Sequence, residues 1–186
     1  WRGYETILAM KAYYERQPWT DLDGSQHEGW TAGPHVFVAP DGIWLFSDLR
    51  WDGVGVLGHN YRSRHVEMVG NYDSAPPGGS ILADTIAVLG ILHERLQIRV
   101  DDLAFHRDFS TKTCPGLAVQ KPRVQGLVRE WLENYRRERT ERMAATRRTV
   151  TSRVAHLLVQ ANPSFVLSKE AARRGLPVAL QGQGLP

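Results

Sequence analysis

Residues 105–116 read FHRDFSTKTCPG, and the stretch sets His106 and the chain's single cysteine, Cys114, with seven residues between them. Imidazole nitrogen and thiolate sulfur are both good zinc donors, and a catalytic zinc site uses three protein ligands with a fourth position left open for water. This segment supplies two of the three. Lys112, two residues before the cysteine, adds a cation next to the proposed ion. Spacing alone leaves a plainer reading open, since a lone cysteine is usually a small buried hydrophobe.

Upstream of this stretch, Ile81 to Leu96 forms the clearest helical pattern in the chain. Ile81, Leu82, Thr85, Val88, Leu89, Leu92 and Leu96 make one apolar face, predicted to pack on a sheet. His93, beside Glu94 and Arg95, reads as exposed. Further back, DSAPPGGS (73–80) is a loop, and HVEMV (65–69) is short enough to be a central strand. Before that, SDLRWDGVGVLGHN (47–60) carries three glycines and reads as a loop lining a cleft. HVFVA (35–39) and IWLF (43–46) flank Pro40, Asp41 and Gly42 as a hairpin, with Trp44 expected in the core. DLDGSQHEGW (21–30) reads as loop. Residues 4–16 have near-helical apolar spacing at Ile7, Leu8, Met10 and Tyr14, and Pro18 is expected to stop that helix.

Downstream, Val124, Leu127, Val128, Trp131, Leu132 and Tyr135 give a second amphipathic helix. The run RRERTERMAATRRTVTSR (136–153) is polar around its circumference and reads as a solvated helical continuation rather than a binding patch. Val154 to Val159 is a further apolar stripe, stopped by Pro163, and residues 164–186 read as a tail or the start of a second small module. The domain expectation is therefore 1–135, then a charged extension over 136–163, then 164–186. At 186 residues, 42% apolar and 23% charged, the chain has the composition of a globular protein with a full core. No run of eighteen apolar residues suggests a membrane span, and no signal peptide is visible. The net charge of +3 is too small to argue for a nucleic-acid partner, and no base-reading motif accompanies it.

Taken in order, GPHVFVAPDG (33–42), HVEMVG (65–70), an amphipathic helix and the His–Lys–Cys-Pro-Gly segment resemble the type 2 N-acetylmuramoyl-L-alanine amidases. These are zinc-dependent cell-wall hydrolases whose superfamily includes amidase-type phage lysozymes, recycling amidases and peptidoglycan recognition proteins. The resemblance spans roughly residues 1–135. It implies an α/β fold: a mixed central β-sheet flanked by about three helices, a zinc cleft at one edge of the sheet, and a C-terminal helical extension.

The resemblance also implies roles. His106 and Cys114 match two zinc ligands, and the third, a histidine, is expected upstream of Trp1. Glu67 matches the glutamate that acts as general base on the attacking water, and Lys112 matches the residue that stabilises the oxyanion. Its glutamate character on a short strand is unusual on its own account, with a buried ion pair to Arg64 or Arg95 as the structural alternative. His59 resembles a residue of the cleft wall, and His35 is expected to face the cleft as a substrate contact or to be structural. Pro34 stands where many relatives carry an assisting tyrosine. The implied reaction is cleavage of the amide between N-acetylmuramic acid and L-alanine. The implied partner is peptidoglycan, acted on by a phage lysin or a secreted or periplasmic enzyme. The alternative is a peptidoglycan-binding module of the same fold without catalysis.

Overall fold

The computed structural model describes residues 1–30 and 32–161, with side chains through residue 151. Contacts divide the chain after Tyr135. In the first unit, α1 (Tyr4–Tyr14) is built from good helix formers such as Leu8, Ala9, Met10 and Lys11, and no residue on it is fully buried. Pro18 does more than stop this helix. It opens β1 (Pro18–Thr20), which pairs antiparallel with β2 (Gln26–Glu28) across the turn that the sequence presents as plain loop. Aromatic stacking stabilises this small hairpin: Trp19 lies between His27 and Trp30, with ring centroids 4.1 and 4.2 Å away. Asp21 and Asp23 side chains accept from the Ser25 N–H and hold the turn.

The main sheet has the order β4-β3-β5. β3 (Val36–Ala39) is buried along its whole length and pairs antiparallel with β4 (Gly42–Leu45). The tight turn between them uses Gly42 at φ 129°, a conformation that suits glycine. β5 (Val66–Met68) runs parallel to β3, which makes the sheet mixed. A parallel neighbour needs a long connection, and here residues 40–65 supply it, through β4 and then a loop with one 3₁₀ turn, Asn60–Arg62. β5 is thus an edge strand among the described residues, not the central strand its brevity suggested.

α2 (Gly79–Leu96) is buried on two sides, where the sequence suggests one. Val88, with Ile81 and Leu92 around it, packs on Val36 and Val38 of the sheet. Ile86, with Leu82 and Leu89, packs against Val124, Val128 and Leu132 at the start of α3 (Lys121–Ala161). Gly90 is what lets the helices approach, because a Cβ there would run into the Trp131 ring. His93 is buried rather than exposed: its Nδ1 hydrogen-bonds the Ile98 carbonyl at 3.0 Å, closing the C-terminal end of α2. Leu96, by contrast, is exposed. Pro122 sits in the first turn of α3, where its missing N–H does no harm.

In the second unit, residues 136–151 are helical and every side chain is exposed. The expected stripe at Val154 to Val159 lies beyond the described side chains, and the expectations for Pro163 and for 164–186 lie outside the described residues. No helix among the described residues is long and apolar enough to cross a membrane.

Candidate active site

Side chains alternate across a strand, so the face that α2 covers fixes which residues look the other way. Val36, Val38 and Val66 meet α2. Phe37 and Glu67 are register partners between them and share the opposite face. Glu67 is exposed, yet the surrounding protein raises its carboxyl above the ordinary glutamate range, with Lys112 pulling the other way. Solvent therefore reaches the Glu67 side chain although protein surrounds much of it. The alternative of an ion pair between Glu67 and Arg64 or Arg95 is not formed. Arg64 instead donates to the carbonyls of Leu49 and Ser63 at 2.7 and 2.8 Å.

A chain of rings carries this face across to α1. Phe46 meets Phe37 edge-on at 5.2 Å, and Tyr14, the last residue of α1, meets Phe46 at 6.0 Å. Burial pushes the Tyr14 phenol up to about 12, and the nearby Glu67 charge adds to the effect. The phenol therefore stays protonated at neutral pH and is a potential donor, and its hydroxyl bonds no other described residue. The sequence offered only the position of Tyr14 on the apolar stripe of a helix. Trp44, which the hairpin pattern placed in the core, is half-buried: it stacks on Tyr4 at 6.4 Å and its Nε1–H donates to Asp41.

Two histidines hold β3 and β5 together at their starts. His35 is fully buried at 0% exposure. Its Nδ1 accepts the His65 backbone N–H at 2.9 Å and its Nε2 lies 3.0 Å from the Trp51 carbonyl. A backbone N–H can only donate and a carbonyl only accept, so the tautomer is fixed with the proton on Nε2. Both nitrogens are thereby used, and His35 has nothing to offer a ligand. The expectation of a cleft-facing His35 is replaced by a clamp across the loop, and burial lowers its basicity accordingly. Gly53 makes room for that ring, since a Cβ there would stand 2.5 Å from it.

His65, given no role by its sequence context, is the more unusual of the two. Its ring lies 5.4 Å from that of His35, packed against Gly55, with both nitrogens buried and unpartnered. Burial brings it down to about 4, helped by His35, Arg64 and His106 nearby. A neutral imidazole always carries one N–H, so an unsatisfied donor remains there.

The loop carrying His106 and Cys114 is fastened from several sides. The Arg107 N–H donates to the Cys114 carbonyl at 3.0 Å, and its guanidinium reaches the carbonyls of Gly116 and Val119. Asp108 accepts from the Phe105 N–H at 2.7 Å and pairs with Lys121. Asp73 takes the Leu117 N–H at 3.0 Å and the Thr113 hydroxyl at 3.3 Å. Gly116, at φ 126°, lies so close to the Tyr72 carbonyl that a side chain would not fit. Cys114 is exposed on this loop, and not the buried hydrophobe of the plainer reading. Burial and the Lys112 charge both lower the His106 imidazole, so it stays neutral, the form that ligates metal. Lys112 thus influences both His106 and Glu67, which brings three of the sequence-predicted residues to one region.

His59 stands on the opposite loop. Its ring packs on Phe109 at 4.4 Å, and its Nδ1 accepts from Arg62. Among the described residues no three His, Cys, Asp or Glu side chains form a metal-binding group. His106 and Cys114 have the donor chemistry of a zinc pair. The sequence model of one family, described as N-acetylmuramoyl-L-alanine amidase, matches residues 7–117. No curated protein and no solved structure matches the chain.

Proposed function

Because the chain belongs to the N-acetylmuramoyl-L-alanine amidase family, we propose that it hydrolyses the amide between N-acetylmuramic acid and the L-alanine of the peptidoglycan stem peptide. Residues 1–135 would carry the chemistry, and 136–163 would be a charged extension. The enzyme would act on the bacterial cell wall, as a phage lysin or a secreted or periplasmic protein. The observation that carries the reading is Glu67 itself, an exposed carboxyl with raised basicity on the one sheet face α2 leaves free, under the influence of Lys112.

A general base works best when its pKa approaches the working pH, and the raised Glu67 carboxyl moves in that direction. It accepts the proton of the attacking water and passes it to the departing amine of L-alanine. Lys112, which influences both Glu67 and His106, is assigned to stabilise the oxyanion of the tetrahedral intermediate. Tyr14 offers a phenol O–H on the same face, held in the donor form by its burial. Zinc is assigned to His106 and Cys114, and when bound it supplies carbonyl polarisation and a water of lowered pKa. His59, packed on Phe109 of the loop that carries His106 and Cys114, is assigned as a substrate contact.

Glu67→Ala tests the assignment. The expected result is a fall in peptide release from peptidoglycan of at least about a hundredfold, the ordinary scale for a lost general base, with wall binding and zinc content unchanged. Full turnover in the variant would overturn the role of Glu67.

A further inference from the structure

Residues 136–151 carry six arginines, two glutamates and no lysine, a net charge of +4. Residues 1–135 carry thirteen lysines and arginines against seventeen aspartates and glutamates, a net charge of −4. The overall +3 therefore conceals two signs, which change where the contacts divide the chain, after Tyr135. Charge separated along a chain in this way suits a basic segment that meets an anionic partner.

Solvation explains the exposure of this helical run but not its sign. An exposed helix is stabilised by opposite charges three or four residues apart, and like charges at that spacing oppose it. Arg136, Arg139 and Arg142 follow one another at three-residue steps and make a row of like charge along the helix. All six arginine side chains of the run are exposed. The hydroxyls of Thr140, Thr146 and Thr149 turn back on the helix, donating to the carbonyls of Arg136, Arg142 and Ala145 at 2.8, 3.0 and 3.1 Å. Guanidinium groups are thus the main polar groups facing outward.

The chemistry of those groups points to the kind of anion. A planar guanidinium fork matches two oxygens of a phosphate, where lysine offers only a point charge. Residues 136–151 span about 24 Å of helix, long enough to meet several repeats of a linear polymer. Two other partners fit less well. The run holds no aromatic side chain to stack on exposed bases. Met143 and Val150 are its only large apolar residues, too few to seat a helix in a bilayer.

We propose that residues 136–151 bind a phosphate-bearing polymer of the bacterial cell wall and so hold the enzyme on its substrate. The proposal rests on the cell-wall reading above and adds a second point of attachment to it. The arginines take no part in bond cleavage.

Sedimentation of the full chain with purified walls tests this. The walls carry a polyol-phosphate polymer, and a matched sample has that polymer stripped with hydrofluoric acid. The parent should bind intact walls at least about tenfold more tightly than stripped ones, and rising salt should abolish the difference. Arg139→Gln, Arg142→Gln, Arg147→Gln and Arg148→Gln together keep good helix formers in place. In that variant the preference for intact walls should vanish, while binding to stripped walls stays as in the parent. Lysine at the same four positions should keep part of the preference. Equal binding of intact and stripped walls by the parent, or an undiminished preference in the glutamine variant, overturns the proposal. Tighter arginine-dependent binding to duplex DNA or to phosphatidylglycerol vesicles than to intact walls overturns it as well, because the partner then belongs to another class. The amidase reading fails separately, if the parent releases no peptide from stripped walls while the arginine-dependent preference persists.

Discussion

Moving a histidine out of water with neither nitrogen partnered makes its neutral form the one compatible with folding. His65 is in that position, with a folded pKa of about 4 against 6.5 for a free imidazole. Between those two values the unfolded chain takes up a proton and the folded chain does not. Stability therefore holds above about pH 6.5 and falls as the pH drops toward 4, by as much as about 3 kcal/mol from this residue. Urea unfolding of the native chain and of His65→Gln at pH 7 and pH 4.5 checks this. The variant should lose clearly less stability than the parent on acidification, and parallel losses would remove His65 as the cause. Nothing near His65 in sequence announces such a burial, because its isolation comes from His35, Gly55 and His106, all distant in the chain. His106 and Cys114 drew attention in the sequence because their types and spacing suit a metal, whereas the roles expected of Glu67 and Lys112 came from the family resemblance. His35 stayed open between a cleft contact and a structural role for the converse reason, and the structure takes the second. Alternation along a strand says which residues share a face, but not whether a loop such as 51–53 closes over one of them.

The elements were legible where their periodicity reports a single covered face. β3, β4 and α1 fall within a residue or two of the expected bounds, which is where assigned ends usually differ. β1 and β2 escaped because three-residue strands stabilised by a Trp–Trp–His stack show no alternation to read. α2 was half read: its apolar positions belong to two faces, one on the sheet and one on α3, and a single stripe hides that division. Gly90 sits at the α2–α3 contact. Gly90→Ala would raise helix propensity in a free helix, but here its methyl group must displace Trp131. The contact wins, and thermal unfolding should show a loss of about 1–3 kcal/mol, the usual range for overpacking. An unchanged or higher melting temperature would mean that α2 and α3 are not packed this closely.

At the scale of the whole molecule, composition and motif order carried most of the information. The family match covers residues 7–117, which lies inside the unit ending at Tyr135. Within it, the order of strand, crossover loop, strand, helix and ligand loop brings Glu67, Lys112 and His106 into one region although up to 45 residues separate them in sequence. The helical run 136–151 was legible for a simpler reason: a segment polar on every side has no face to bury, and every side chain there is exposed. What such a chain does to a cell wall is read most directly from the fragments it leaves. The full chain should be incubated with purified peptidoglycan, with and without a zinc chelator, and the soluble products analysed by mass spectrometry. Free peptides beginning at L-alanine, lost on chelation and restored by added zinc, are the predicted result. Protein that sediments with the wall while releasing no such peptide at any zinc concentration would contradict the amidase account and leave a binding module of the same fold.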